Sequence, residues 1–88
     1  MKKQNLSPIE AVFGIAIEEA KQRFDELTDR EREVAELMAT GEKNTKIAKQ
    51  LGISPKTLDI HRTNAKRKLK ARGSVDVARV VFATKASM

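Results

Sequence analysis

The sequence predicts an all-α fold: four core helices with an additional helix in front of them. Two observations carry this. Apolar residues recur at helical spacing behind Ser or Thr residues suited to capping, and almost no stretch alternates as a half-buried strand does. Gly41 and Gly52 punctuate the pattern where helices are expected to end.

The first helix is expected from Ser7 to Phe24. Ser7-Pro8-Ile9-Glu10 reads as an N-cap, a first-turn proline and the acid of a capping box. At about 100° per residue, Ile9, Val12, Phe13, Ala16, Ile17, Ala20 and Phe24 share one broad face, with Gly14 a weak spot on the other side. Thr28-Asp29-Arg30-Glu31 opens the second helix with another capping box. Val34, Leu37 and Met38 form its stripe, and Gly41 stops it. A short third helix spans about Asn44–Gln50, with Ile47, Ala48 and Leu51 inward and Gly52 breaking it. Ser54-Pro55 starts the fourth, which runs to about Leu69, and the last runs from near Ser74 to about Thr84. The tails Met1–Asn5 and Lys85–Met88 are expected to fray. The domains are then residues 1–26, a linker or dimerisation helix; 27–84, the main unit; and 85–88, a tail.

The length of 88 residues suits one domain. There is no Cys and a single His, so neither a disulfide framework nor a metal site is expected, and no cofactor. No secretory signal and no apolar run long enough for a membrane span are legible, so the expected location is the cytoplasm, with no membrane partner. The net charge is +6, unevenly spread. Residues 1–42 carry 6 basic and 10 acidic side chains; residues 43–72 carry 10 basic ones and a single acid, Asp59. Such a concentration is the electrostatic footprint of a polyanion binder; the plain alternative is a solvated helical face.

Lys46–Asn64 has the spacing of a helix-turn-helix. Ala48 is small where two helices cross, Gly52 follows four residues on at the tight turn, and Leu58 comes six residues later. In the fourth helix Leu58, Ala65 and Leu69 share the core face. Lys56, Asp59, Ile60, Thr63 and Arg67 lie opposite. Ile60 is either ordinary exposed surface or an apolar contact for a thymine methyl group. Lys56 can reach a base edge or a phosphate. Asp59 can accept from a cytosine amino group, hold Lys56 or Arg62, or repel wrong sequences. Lys66, Arg67, Lys68, Lys70 and Arg72 read as phosphate anchors, and Asn44 and Thr45 as phosphate ligands at a helix start. The full phosphate set is expected to be Asn44, Thr45, Lys46, Thr57, His61, Lys66 and Arg67. His61 has no nucleophile or paired acid, so no catalytic site and no enzyme activity are expected.

Leu27-Thr28-Asp29-Arg30-Glu31-Arg32-Glu33-Val34, Asn44-Thr45-Lys46-Ile47-Ala48, Leu51-Gly52-Ile53-Ser54-Pro55-Lys56-Thr57-Leu58, His61-Arg62-Thr63-Asn64 and Lys68-Leu69 together resemble the LuxR/NarL-type helix-turn-helix domain, over about residues 25–84. Within that family the Ile-Ser-Pro turn, Asp59, and His61-Arg62 with Asn64 are most similar to the FixJ branch of response-regulator output domains. The resemblance implies a four-helix domain that binds double-stranded DNA as a transcription regulator, with residues 54–69 as recognition helix. It implies base contacts from Lys56, Asp59, Ile60 and Thr63. It also implies a homodimer through the C-terminal helix. Two positions depart from the family's habit: Thr45 stands where Lys is usual, and Asp59 where many members carry Lys.

In the last helix Val75, Ala78 and Phe82 are expected to face the core. Val77, Val80, Val81 and Thr84 are then left for the dimer contact, the competing account being that the Ser7–Phe24 helix folds back over them. FixJ-type regulators carry a receiver domain for which this chain has no room, so it is expected to be an excised output domain or a free-standing regulator controlled in another way. Two other functions fit similar features: the fourth region of a sigma factor, which binds RNA polymerase as well as promoter DNA, and an adaptor whose basic surface binds an acidic protein.

Overall fold

A computed structural model describes residues 5–86. Its helices are α1 (Pro8–Phe13), α2 (Ile17–Asp25), α3 (Asp29–Ala39), α4 (Asn44–Leu51), α5 (Pro55–Leu69) and α6 (Ser74–Lys85). Of the tails expected to fray, residues 1–4 and 87–88 lie outside the described part. Lys85 instead closes α6, where its Nζ pairs with Glu36 of α3 at 2.6 Å.

The single helix expected over Ser7–Phe24 is two helices. Gly14 takes a left-handed conformation, φ 75°, which costs glycine nothing and ends α1. Ser7 and Glu10 form the expected capping box, and the other carboxylate oxygen of Glu10 accepts the Ile17 N–H at 2.7 Å. A single carboxylate thus caps α1 and supplies the acceptor that Ala16, the N-cap of α2, lacks. These bonds hold the Glu10 carboxyl below the ordinary carboxylate range, the bond from the Ser7 N–H contributing most. The break divides the expected stripe. Ala16, Ala20 and Phe24 are buried and Phe13 packs against the core, whereas Ile9 and Val12 are exposed.

The other caps follow the sequence. Thr28 and Glu31 cap each other's backbone groups at the start of α3, and Ser54 accepts the Thr57 N–H at the start of α5. Gly41 and Gly52 both adopt positive φ behind α3 and α4. The core joins Ala20, Phe24 and Leu27 to Val34, Ala35 and Met38 of α3, Ile47 and Ala48 of α4, Leu58, Ala65 and Leu69 of α5, and Val77, Val80, Val81 and Ala83 of α6. α2 therefore belongs to the same core as the residues after it. Phe24 also lies beneath two cations, Lys85 Nζ at 5.3 Å and the Arg32 guanidinium carbon at 5.7 Å from its ring centre.

The faces of α6 are the reverse of those expected. Val77, Val80, Val81 and Thr84 are buried, each at most 5% exposed, while Val75 and Phe82 are 69% and 49% exposed. Ala78 is half-buried. Both sides are apolar, so periodicity did not distinguish them. What decides is that α6 packs against α2 as well as α3, and two neighbours cover a wide arc that takes in Ala83 too. Thr84 is admitted because its hydroxyl donates to the Val80 carbonyl at 2.9 Å, leaving that donor satisfied. The expected dimer residues are core residues, and a charge there is a buried unpaired charge. Val81→Glu should therefore abolish the cooperative thermal unfolding seen by circular dichroism, while Phe82→Glu should shift the midpoint by only a few degrees. A cooperative transition preserved in Val81→Glu would contradict this placement.

Candidate nucleic-acid interface

The site is built on how α5 is rolled. Leu58, Ala65 and Leu69 are at most 1% exposed. With these fixed inward, Lys56, Asp59, Ile60, Thr63 and Arg67 are exposed as one stripe on the far side, the four expected base-contact residues among them. Ile60, 55% exposed, is an apolar side chain amid this polar row. Thr57 and His61 follow one flank, and Arg62 and Lys66 the other; all four are half-buried. The Ser54 hydroxyl donates to Thr57 Oγ1 at 3.0 Å, which leaves the threonine's own proton for an outside acceptor.

α5 is secured at its far end. Lys70 closes it at φ 55°, an uncommon conformation for a residue with a Cβ. Arg23 of α2, also paired with Glu19, donates to the last helical carbonyl, Leu69 O, at 3.2 Å. Arginine beside a helix C-terminus both satisfies a carbonyl and complements the helix dipole.

α4 differs from the other five helices. It has no side-chain cap and no acid in its first turn, whereas each of the others has one or both. Its first turn carries exposed Lys43, Asn44, Thr45 and Lys46, and among its opening N–H groups that of Lys46 turns back to the Lys43 carbonyl at 3.0 Å. Such an end attracts an anion. Lys46 also meets Glu42 at 3.4 Å, but its side chain is 71% exposed and the pair contributes little. A cleft of about 100 Å³ between α4 and α5 is lined by Asn44, Pro55, Leu58, Asp59 and Arg62.

The structure sorts the basic residues. Lys43, Lys46, Lys49, Lys56, Arg67, Lys70 and Arg72 are exposed, and Lys66 is half-buried. Lys68, expected among the phosphate anchors, instead turns to α3: its Nζ donates to Glu31 Oε1 at 2.8 Å. Glu31 is buried and accepts the Thr28 N–H as well. Burial alone would raise its carboxyl. The bond from Lys68, the Thr28 N–H and the Lys68 charge outweigh this and hold it below the ordinary value of 4.5. Capping-box spacing revealed half of this role, but a partner 37 residues away left no local mark in the sequence. Arg62 was likewise absent from the expected contacts. It is mostly buried, at 18% side-chain exposure, and lies 3.9 Å from Asp59, the pairing that the sequence offered as one of the roles of that acid.

Among the described residues, no group of His, Asp and Glu is placed to hold a metal ion, and no helix is long and apolar enough to cross a membrane. α4, the Gly52 turn and α5 form a helix-turn-helix, presenting a long helix with its polar stripe outward. Residues 25–81 match the family described as "Bacterial regulatory proteins, luxR family", and the chain belongs to that family of DNA-binding regulators, which are not enzymes. It is 48% identical over 68 residues to the transcriptional regulatory protein UhpA of Escherichia coli, covering 77% of this chain and 35% of UhpA. It is 36% identical over 63 residues to the transcriptional regulatory protein FixJ of Rhizobium meliloti, covering 72% and 31%. The crystal structure of full-length FixJ from B. japonicum superimposes with a TM-score of 0.72 at 26% identity, covering 91% of this chain and 39% of that one. These relatives support the expected FixJ-branch placement, and the chain spans about a third of their length.

The Glu31–Lys68 bridge carries a pH signature. A carboxyl held low in the folded state contributes stability that is complete above its unfolded value and is lost as pH falls through the folded one. Glu31→Gln should cost about 1–3 kcal/mol at neutral pH, and the gap from the parent should close as the pH is lowered below about 4.5. Urea unfolding across pH checks this. A gap that stays constant from neutral to strongly acidic pH would rule out the bridge as its source.

Proposed function

We propose that this chain is a sequence-specific reader of double-stranded DNA, acting in the bacterial cytoplasm as a transcription regulator, with α5 laid in the major groove. The observation that carries the reading is the stripe Lys56, Asp59, Ile60, Thr63 and Arg67, exposed opposite the buried Leu58, Ala65 and Leu69. A helix so rolled meets base edges with side chains that donate, accept and offer methyl contact. Lys56, Asp59, Ile60 and Thr63 read bases. Asn44, Thr45 and Lys46, at the uncapped start of α4, bind one phosphate run. Thr57, His61, Lys66 and Arg67 bind the backbone on either side of the groove.

The same reading includes a two-fold dimer on two half-sites about one helical turn apart. Its contact is the exposed side of α6, Val75 and Phe82 with half-buried Ala78 between them, since the opposite side is committed to the core. Large exposed apolar side chains grouped on one helix face suit such a contact.

Labelled duplex titrated at rising salt tests the phosphate part. Affinity should fall steeply with salt, and Lys66→Ala with Arg67→Ala should weaken all sequences alike, each lost contact flattening the logarithmic slope by about one unit. Binding indifferent to salt would count against it. In a binding-site selection, Ile60→Ala and Thr63→Ala should change the preferred sites more than the affinity for random duplex, each by about 1–3 kcal/mol against the best site; an unaltered preference in both would misassign the face. Phe82→Glu should remove cooperativity on a two-half-site duplex and leave single-site binding intact, and cooperativity that survives would exclude this dimer face.

A further inference from the structure

Asp59 is an anomaly in its surroundings, the single acid among residues 43–72 and exposed on the stripe that faces the groove. A carboxylate brought against DNA meets phosphate repulsion, so it needs a donor on the DNA and a cation on the protein. The protein provides the cation: Arg62 Nη1 lies 3.9 Å from Asp59 Oδ1. The arginine is confined. Its side chain is only 18% exposed, and it lines the cleft between α4 and α5 with Asn44, Pro55 and Leu58. Its Nε is buried without a hydrogen-bond partner among the described residues, so the outer end of the guanidinium is the part left to engage a neighbour.

We propose that Asp59 is the residue that specifies a cytosine, and that Arg62, wedged between the two helices of the motif, is the positioning residue that holds its carboxylate toward the base. This rests on α5 lying in the major groove. The choice of base follows from the acceptor-only character of an ionised carboxylate. In that groove guanine presents two acceptors and thymine an acceptor and a methyl group, both unfavourable to it. Adenine presents an amino donor with an acceptor beside it. Cytosine presents an amino donor alone. Arg62 offsets the carboxylate's charge without occupying the groove itself, because its stem is fixed in the cleft. It also links base reading to the α4 end, since Asn44 lines the same cleft.

The test is a binding-site selection from random duplexes with the full chain, followed by titrations of the selected duplex carrying each of the four base pairs at the candidate position. The parent should prefer cytosine at one position by about tenfold. Asp59→Asn should move the preference at that position to adenine, whose paired donor and acceptor match a carboxamide, and leave the other positions unchanged. Arg62→Gln should reduce the cytosine preference while the preference assigned to Ile60 persists. Arg62→Lys, which keeps a cation but not the planar fork, should fall between Gln and the parent. Circular dichroism verifies folding; if the Gln variant does not fold, the Lys variant decides by the same ratio. A cytosine preference that survives Asp59→Asn overturns the assignment. Arg62 variants that weaken every duplex in proportion, with the cytosine ratio intact, overturn the positioning role and leave Arg62 a phosphate contact. A parent with base preferences but none for cytosine overturns this inference alone, whereas a parent with no base preference anywhere overturns the groove reading of α5 as well.

Discussion

The roll of α5 about its own axis is the constraint on which the interface depends. Leu58, Ala65 and Leu69 are enclosed by the core, and a helix pinned along that line has no freedom to choose what it presents outward. Ala65 permits close approach to the neighbouring helix, and the two leucines secure the ends. Arg23 then satisfies the last helical carbonyl, and Lys68 is drawn inward to Glu31 on α3. The order of Lys56, Ile60 and Thr63 across the surface is thus a consequence of burial on the other side.

Electrostatics sorts the residues that packing has placed. Of the cations concentrated after residue 42, Lys68 is taken up by buried Glu31, and Arg62 lies 3.9 Å from exposed Asp59. Of the remaining ones, Lys56, Lys66 and Arg67 lie on α5, Lys70 and Arg72 just beyond it, Lys49 in the last turn of α4, and Lys43 and Lys46 at its start, where there is neither a side-chain cap nor a first-turn acid. The acids of α1 to α3 have work elsewhere. Glu10 and Glu31 cap helices, and Glu36 meets Lys85. A sequence that looks acidic in front and basic behind is, in three dimensions, a domain in which Glu10, Glu31 and Glu36 tie helices together and most of the bases after residue 42 are turned outward.

Much of this was legible from local pattern. Capping boxes at Ser7 and Thr28, the Ser54 cap and the glycines at 41 and 52 are signals spanning a few residues, and the structure has each of them. The exposed stripe of α5 was legible too, because its core face is apolar and the opposite face mostly is not. Three features were not. Gly14 breaks a helix whose apolar period continues across it, since a left-handed glycine and a capping carboxylate seven residues before Ile17 outweigh the stripe. α6 is apolar on two sides, and only its neighbours α2 and α3 determine which side is covered. The Glu31–Lys68 bridge joins distant positions, and no local rule pairs them.

If α5 lies in the major groove, one face of it, with the start of α4, meets DNA. Amide chemical shifts recorded while duplex is titrated into labelled protein test it directly, residue by residue. The largest changes should fall on Asn44–Lys46 and on Lys56, Asp59, Ile60, Thr63 and Arg67, with Glu18 of α2 and Glu26 at its C-terminal cap unmoved. Changes concentrated on α2 and α3, with the α5 stripe silent, would contradict it.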